Sequence, residues 1–127
     1  MQANYRELKI WRFSMDLVPR IYSIITILPV HESNNLKDQM RRAVTSLPLN
    51  IAEGACSKTK KQYLNHLNYA YASAQELTCA LMLCSKVNYL DKESFLKVFD
   101  RMDHFNRAIY KFIINLEKKE LKEKFDF

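Results

Sequence analysis

The chain has a single glycine, Gly54, in 127 residues, and three prolines, Pro19, Pro29 and Pro48. Folds made of many strands need frequent tight turns, and glycine and proline are the residues such turns favour. Their scarcity restricts the chain to a few long elements joined by a few loops. Gly54 closes the stretch 39–54, where Pro48 interrupts what otherwise reads as one helix. A proline in a helix interior loses the bond to the carbonyl four residues back, here Val44, and crowds it, at a cost of about 3 kcal/mol. Gln39, Arg42, Ser46, Asn50 and Glu53 recur at steps of three or four and form one polar line. Met40, Ala43/Val44, Leu47 and Ile51 form an apolar line beside it.

Four helices are legible, over roughly residues 4–29, 35–54, 59–88 and 91–120, followed by a charged tail. The first opens with Asn4-x-x-Glu7, the spacing of a capping box. It continues through Leu8, Trp11, Met15, Val18, Tyr22 and Ile25, with a kink expected at Pro19 and a stop near Pro29. Asn35 is a suitable N-cap for the second helix, and Gly54 is expected in the left-handed position just past its end. Thr59-x-x-Gln62 opens the third, whose apolar positions are Tyr63, Leu67, Ala70, Ala74, Leu77, Leu81 and Cys84. The fourth starts at Asp91 and carries Phe95, Val98, Met102, Phe105, Ile109, Phe112 and Leu116 as a sustained heptad. Short connections between long amphipathic helices make antiparallel neighbours, so the expected fold is all-α: an up-down-up-down four-helix bundle in one domain, 1–127.

The apolar load is larger than one such core needs. Ile10, Phe13, Leu17, Ile21 and Ile24 add a second line to the first helix, and Tyr69 and Tyr71 widen the third. Wide apolar faces are covered by another subunit or by a broader buried core. Homo-oligomerisation is the expectation, with a monomer as the alternative.

The formal charge is +6 and the pI about 9.3. Up-down connectivity gathers the start of helix one, the loop between helices two and three, and the end of helix four at one pole. That pole collects Arg6, Lys9, Arg12, Lys58, Lys60, Lys61, Lys118, Lys119, Lys122 and Lys124, ten bases against six acids. The opposite end has three bases and four acids. Such a surface suits phosphate backbones, which lysine and arginine neutralise. A solvated face that serves solubility is the bland alternative.

Catalytic signatures are missing. No histidine is preceded by the glutamate of a di-iron Glu-x-x-His pair, no Cys/His spacing suits zinc, and a lone glycine cannot build a phosphate loop. A non-enzyme without metal or cofactor is expected. The N-terminus lacks a signal peptide and the most apolar segment, 21–30, is too short to span a bilayer, so the protein is expected in the cytoplasm and off the membrane. Cys56, Cys79 and Cys84 are expected as reduced thiols. Asp16, Arg41 or Arg42, and Glu76 fall near the mid-height of their helices. With Asn50 and Glu53 of the polar line, Asp16, Arg42 and Glu76 are expected to form a charge network, buried or between subunits, that sets register.

The residues Leu8-x-x-Trp11, Met15-Asp-Leu-Val18, Tyr22, Gln39-x-Arg-Arg-Ala43, Ser46-x-Pro48, Asn50-Ile-Ala-Glu-Gly54, Tyr63-Leu64, Ser73, Glu76-Leu77 and Tyr89-Leu90 resemble a known pattern. It is that of bacterial four-helix-bundle proteins encoded in large-subunit rRNA intervening sequences, to which accessory proteins of diversity-generating retroelements are related. Ala72, Thr78, the segment Glu32–Leu36 and Pro19 depart from that pattern. The resemblance implies a homopentamer with a basic surface and no catalysis. For the retroelement relatives it implies partnership with a reverse transcriptase and its template RNA. Taken together, the leading expectation is a non-catalytic oligomer that binds RNA phosphates through Arg6, Lys9, Arg12, Lys58, Lys60 and Lys61, with Arg41 next. A protein–protein adaptor is the second.

Overall fold

The structure, a computed structural model, describes residues 4–125, and side chains as far as residue 119. Lys122 and Lys124, counted above with the basic pole, lie outside the described side chains. The chain makes four helices: α1 (Lys9–Ile27), α2 (Leu36–Ala55), α3 (Lys60–Lys86) and α4 (Lys92–Phe125). Single 3₁₀ turns at Tyr5–Glu7 and Val30–Glu32 precede α1 and α2. Each helix adjoins its neighbour in sequence and α1 also meets α4, whereas the diagonal pairs α1/α3 and α2/α4 do not adjoin. This is an antiparallel four-helix bundle.

The core is continuous from Leu28 and Leu36 at one end to Ile10, Ala55 and Tyr63 at the other. Leu17, Ile21, Met40, Leu47, Ile51, Leu67, Leu77, Leu81, Met102, Phe105 and Ile109 are fully enclosed. Each such side chain contributes about 1.5–3 kcal/mol by leaving water. Ser14, fully buried, donates its hydroxyl to the Trp11 carbonyl at 2.6 Å, so its burial leaves no unmet donor. Both internal prolines sit within unbroken helices, Pro48 buried and Pro19 exposed.

Three local expectations are corrected. Asn4 caps the 3₁₀ turn, accepting from the Arg6 amide at 3.1 Å, while α1 begins after Leu8 with no side-chain cap. On α1 the buried line is Ile10, Ser14, Leu17, Ile21 and Ile25; Met15 and Tyr22 are 44% and 38% exposed. The core takes Ile10, Leu17 and Ile21 from the second apolar line of this helix and Ile25 from the first, while Phe13 and Ile24 are half-buried. Leu8, Trp11 and Val18 then lie half-buried along its edge. α4 runs on to Phe125, past the expected end at 120. Tyr63 of α3 meets Phe112 of α4 with ring centroids 5.9 Å apart, so the turns after Phe112 stand at and beyond the start of α3.

Gly54 is a fourth correction. It lies inside α2, buried, with a negative φ; the helix ends one residue later and Cys56 is its C-cap. The glycine is required by proximity, not by handedness. A Cβ there would stand 2.9 Å from His66 Cβ and 3.0 Å from Tyr63 Cδ1, closer than carbon atoms tolerate. The left-handed helix end belongs instead to α3. Asn88 has φ 65°, and the Tyr89 amide bonds back to the Cys84 carbonyl at 2.8 Å while the Asn88 amide bonds to Ser85 at 3.1 Å, the Schellman pattern.

These two positions respond oppositely to glycine chemistry. Gly54→Ala is expected to lose about 1–3 kcal/mol through overpacking, although the same change at an exposed helical site gains about 0.5–1 kcal/mol. Asn88→Gly is expected to be neutral or stabilising. Urea unfolding of both variants checks this, and a stabilised Gly54→Ala would show that α2 and α3 part there without cost.

Candidate nucleic-acid interface

The basic pole is assembled from three chain segments. In the first, the 3₁₀ turn folds Tyr5 back so that its ring meets Trp11 edge-on at 5.2 Å. Arg6 lies over the Tyr5 ring, 4.9 Å from its centroid, and Arg12 Nε donates to the Arg6 carbonyl at 2.8 Å. Both guanidinium groups are held by this turn, yet both residues remain exposed, as does Lys9. Pre-placed guanidinium groups lose less entropy on meeting a phosphate than free ones.

The second segment is the α2–α3 loop. Ser57 donates its hydroxyl to the Gly54 carbonyl at 2.5 Å, closing the end of α2. Thr59 accepts from the Gln62 amide at 3.1 Å, and the Gln62 side chain accepts in return from the Lys58 amide at 3.3 Å. This is the expected capping box shifted by one residue on its return bond. It fixes the loop with Lys58 and Lys61 exposed and Lys60 half-buried. The third segment, the distal part of α4, adds exposed Lys118 and Lys119.

Arg41 is not brought to this pole. It lies near the start of α2, about 25 Å along the chain's rise from Lys58. Its guanidinium is 3.6 Å from Asp38, which also takes Arg42 Nε at 3.2 Å. One carboxylate thus offsets both arginines.

The five residues expected as one network are not joined within the chain. Asp16 and Glu76 are exposed, without a hydrogen bond or ion pair among the described residues, and Arg42 turns to its own helix. Asp16 belongs to α1 and Glu76 to α3, a diagonal pair separated by the core, so their outward carboxylates cannot share a partner. Asn50 and Glu53 do form a contact, but with a residue outside the expected set. His66 Nδ1 lies 3.2 Å from Asn50 Oδ1 and 3.9 Å from Glu53 Oε2, and Asn50 Nδ2 donates to the Ser46 carbonyl at 3.0 Å. This clamp joins α2 to α3 beside Gly54.

A second clasp closes the opposite end. Tyr89 donates its hydroxyl to Glu32 Oε2 at 2.8 Å, and His31 Nε2 is 3.1 Å from the same hydroxyl. The Schellman turn at Asn88 aims Tyr89 across the loop between α1 and α2. Accepting from Tyr89, and from Asn35, holds the Glu32 carboxyl below its usual 4.5 despite some burial. Donating to Glu32 raises the Tyr89 phenol above its usual 10. Burial, with the Glu32 charge adding to it, raises the Cys84 thiol to about 11, so this buried cysteine stays a protonated core residue. Burial alone lifts Tyr63 to about 12. No group of His, Cys, Asp and Glu among the described residues is arranged to hold a metal ion. No helix among them is long and apolar enough to cross a membrane.

A four-helix bundle with one basic pole is the setting for the family comparison. The family described as 23S rRNA-intervening sequence protein matches residues 6–122. The chain belongs to that family. Among solved structures it is similar to a protein of unknown function from the S23 ribosomal protein family of Bacteroides thetaiotaomicron. That likeness has a TM-score of 0.75 and 24% identity, covering 82% of this chain and 97% of the other, and speaks for the fold alone. No curated protein matches.

The Glu32–Tyr89 clasp carries a pH signature. A carboxyl with a lowered folded pKa stabilises the fold above its ordinary value and loses that contribution as pH falls through the lowered one. A phenol with a raised pKa contributes below its ordinary value and loses it as pH rises through the raised one. The clasp therefore has full strength between about 4.5 and 10. Tyr89→Phe is expected to melt below wild type at pH 7, with the gap narrowing as pH drops under 4.5. A gap independent of pH in thermal melts would remove the clasp from the stability of the fold.

Proposed function

We propose that this protein is a non-catalytic, oligomeric RNA-binding subunit of the cytoplasm that engages phosphates through its basic pole. The observation that carries the reading is the convergence of Arg6, Lys9 and Arg12, of Lys58 and Lys61, and of Lys118 and Lys119 at one end of the bundle, from segments far apart in sequence. The cations of the first two segments are set out on capped, hydrogen-bonded turns, which suits a preformed binding surface. Membership of a family defined by 23S rRNA intervening sequences supports RNA as the partner. Phosphate contacts position a protein on its nucleic acid without reading bases, and no base-reading element is needed for such a role.

Homo-oligomerisation belongs to the same proposal. Met15 and Tyr22 on α1, with Tyr69 and Met82 on α3, leave apolar area in water that a second copy would cover. The resemblance implies five copies. A ring of subunits would repeat the basic pole around an axis and multiply its weak individual contacts. It would also allow Asp16, Arg42 and Glu76 to meet between subunits. The same exposed residues favour the second reading, an adaptor that docks on a protein partner such as a reverse transcriptase.

Lys58→Glu with Lys61→Glu is expected to weaken binding of single-stranded RNA and to lower the slope of log K against log salt by about 0.7 for each lysine. Filter binding at several salt concentrations measures both quantities. Wild-type affinity and slope in that variant would overturn the pole as the contact surface. Partner affinity that persists at high salt and falls on Tyr22→Ala would favour the adaptor.

A further inference from the structure

At the end of the bundle away from the basic pole, α1 and α4 part to leave a groove of about 530 Å³. Its deeper side is apolar, with Val98 buried and Ile24 half-buried. Its rims are polar and exposed: Arg20 and Ser23 on α1 face Ser94 and Arg101 on α4.

The two arginines differ from the charges around them. Lys97 lies 3.4 Å from Glu93, His104 3.6 Å from Asp100, and Arg107 3.0 Å from Asp103, each one turn away on α4. Arg20 and Arg101 have no ion pair or hydrogen bond among the described residues. They come from different helices and line the same concavity. Asp100 is the one carboxylate on its lining, set against Arg20, Arg101 and Lys97. The first turn of α4 does not supply the attraction, because Asp91 Oδ1 already accepts the Ser94 amide at 2.6 Å. The Ser94 hydroxyl bonds to Asp91 as well, so the site rests on two guanidinium forks and the Ser23 hydroxyl over an apolar floor.

We propose that this groove binds a phosphate group, held by Arg20 and Arg101 with Ser23 donating to a remaining oxygen. Guanidinium forks match phosphate oxygens two at a time, and a low-dielectric floor strengthens the attraction. The phosphate has two possible sources, an RNA backbone or a free phosphate. The RNA source rests on the function proposed above; the site itself does not. Arg12, Asp16 and Arg20 follow at four-residue steps on one face of α1, so the pole and the groove lie on one line about 12 Å apart, with Asp16 between them.

The test compares wild type with Arg20→Gln/Arg101→Gln, both exposed positions, after confirming unchanged thermal melting, with native mass measured for both. Two probes are used: a 20-nucleotide single-stranded RNA in filter binding, and labelled inorganic phosphate in equilibrium dialysis. If the source is RNA, the variant loses roughly ten-fold in RNA affinity and its salt slope falls by about 1.4. If the source is free phosphate, wild type retains phosphate saturably, the variant does not, and RNA binding is unchanged. A variant equal to wild type with both probes overturns the groove. Wild type that binds phosphate and no RNA overturns the proposed function and leaves the groove standing. Wild type that binds neither overturns both. A variant whose native mass changes while both probes bind as before assigns the groove to a contact between copies, and also overturns it.

Discussion

The contact of α2 with α3 at Gly54 sets the geometry on which the rest of the bundle depends. With no Cβ at that position, the α2 backbone comes within van der Waals reach of Tyr63 and His66. The two helices are then close enough for His66 to reach Asn50 and for Ser57 to fold the loop onto the Gly54 carbonyl. A larger residue would push α3 outward and take with it the capped turn that presents Lys58 and Lys61. Stability and the basic pole thus meet in one small residue. Interiors at crystal-like density transmit such a displacement instead of absorbing it.

The opposite end is closed by different means. Asn88 accepts a left-handed conformation so that α3 can stop, and the turn that follows places Tyr89 against Glu32. A charge-assisted hydrogen bond, not close backbone approach, ties the loops there. The bundle is consequently pinned at both ends while the α1/α4 seam, which closes the ring of helices, is held mainly by packing such as Phe13 against Phe105 at 5.5 Å. A seam without polar ties among the described residues is where a groove can open at little cost in hydrogen bonds.

Periodicity made the four helices legible, since steps of three and four over twenty residues leave one reading. The buried positions of α2 and α3 followed from the same pattern, because each has one dominant apolar line. On α4 Val98, Met102, Phe105 and Ile109 followed too, but Phe95, Phe112 and Leu116 are half-buried and Ile113 is buried in their place. α1 has two such lines, and choosing between them depends on the shapes of the neighbouring helices, which no local pattern contains. Gly54 was misread for a related reason. Glycine at the end of a helical run usually means handedness, and proximity to a side chain twelve residues further on leaves no trace in spacing. The clasp between Glu32 and Tyr89 spans 57 residues and was equally invisible. Lys58 and Lys61 were legible because connectivity alone delivers them to the pole. Asp16 and Glu76 shared mid-height in their helices, but height says nothing of which way a helix faces.

Charge in this molecule is better described by what remains unpaired than by its sum. Asp38 offsets both Arg41 and Arg42, and Glu93 and Asp103 offset Lys97 and Arg107. Such exposed pairs add little to stability, of order 0.3–0.5 kcal/mol each, yet they remove those cations from the field that a phosphate would sense. Of the cations left without an ion pair among the described residues, one group lies at the pole and Arg20 and Arg101 line the groove, with Lys37, Lys86, Lys92 and Lys111 scattered elsewhere. Counting charges by height along the bundle finds the first and dilutes the second, because Arg20 and Arg101 share the middle of the bundle with Asp16, Glu76, Asp100 and Asp103. Separation along a shared face matters for an extended polyanion, since a strand that touches both places is oriented as well as held. Asp16 lies between them, and its repulsion disfavours a strand running directly along α1. A backbone passing from pole to groove would therefore follow the α4 side of the seam, where Lys111 stands exposed between Lys118 and Arg101.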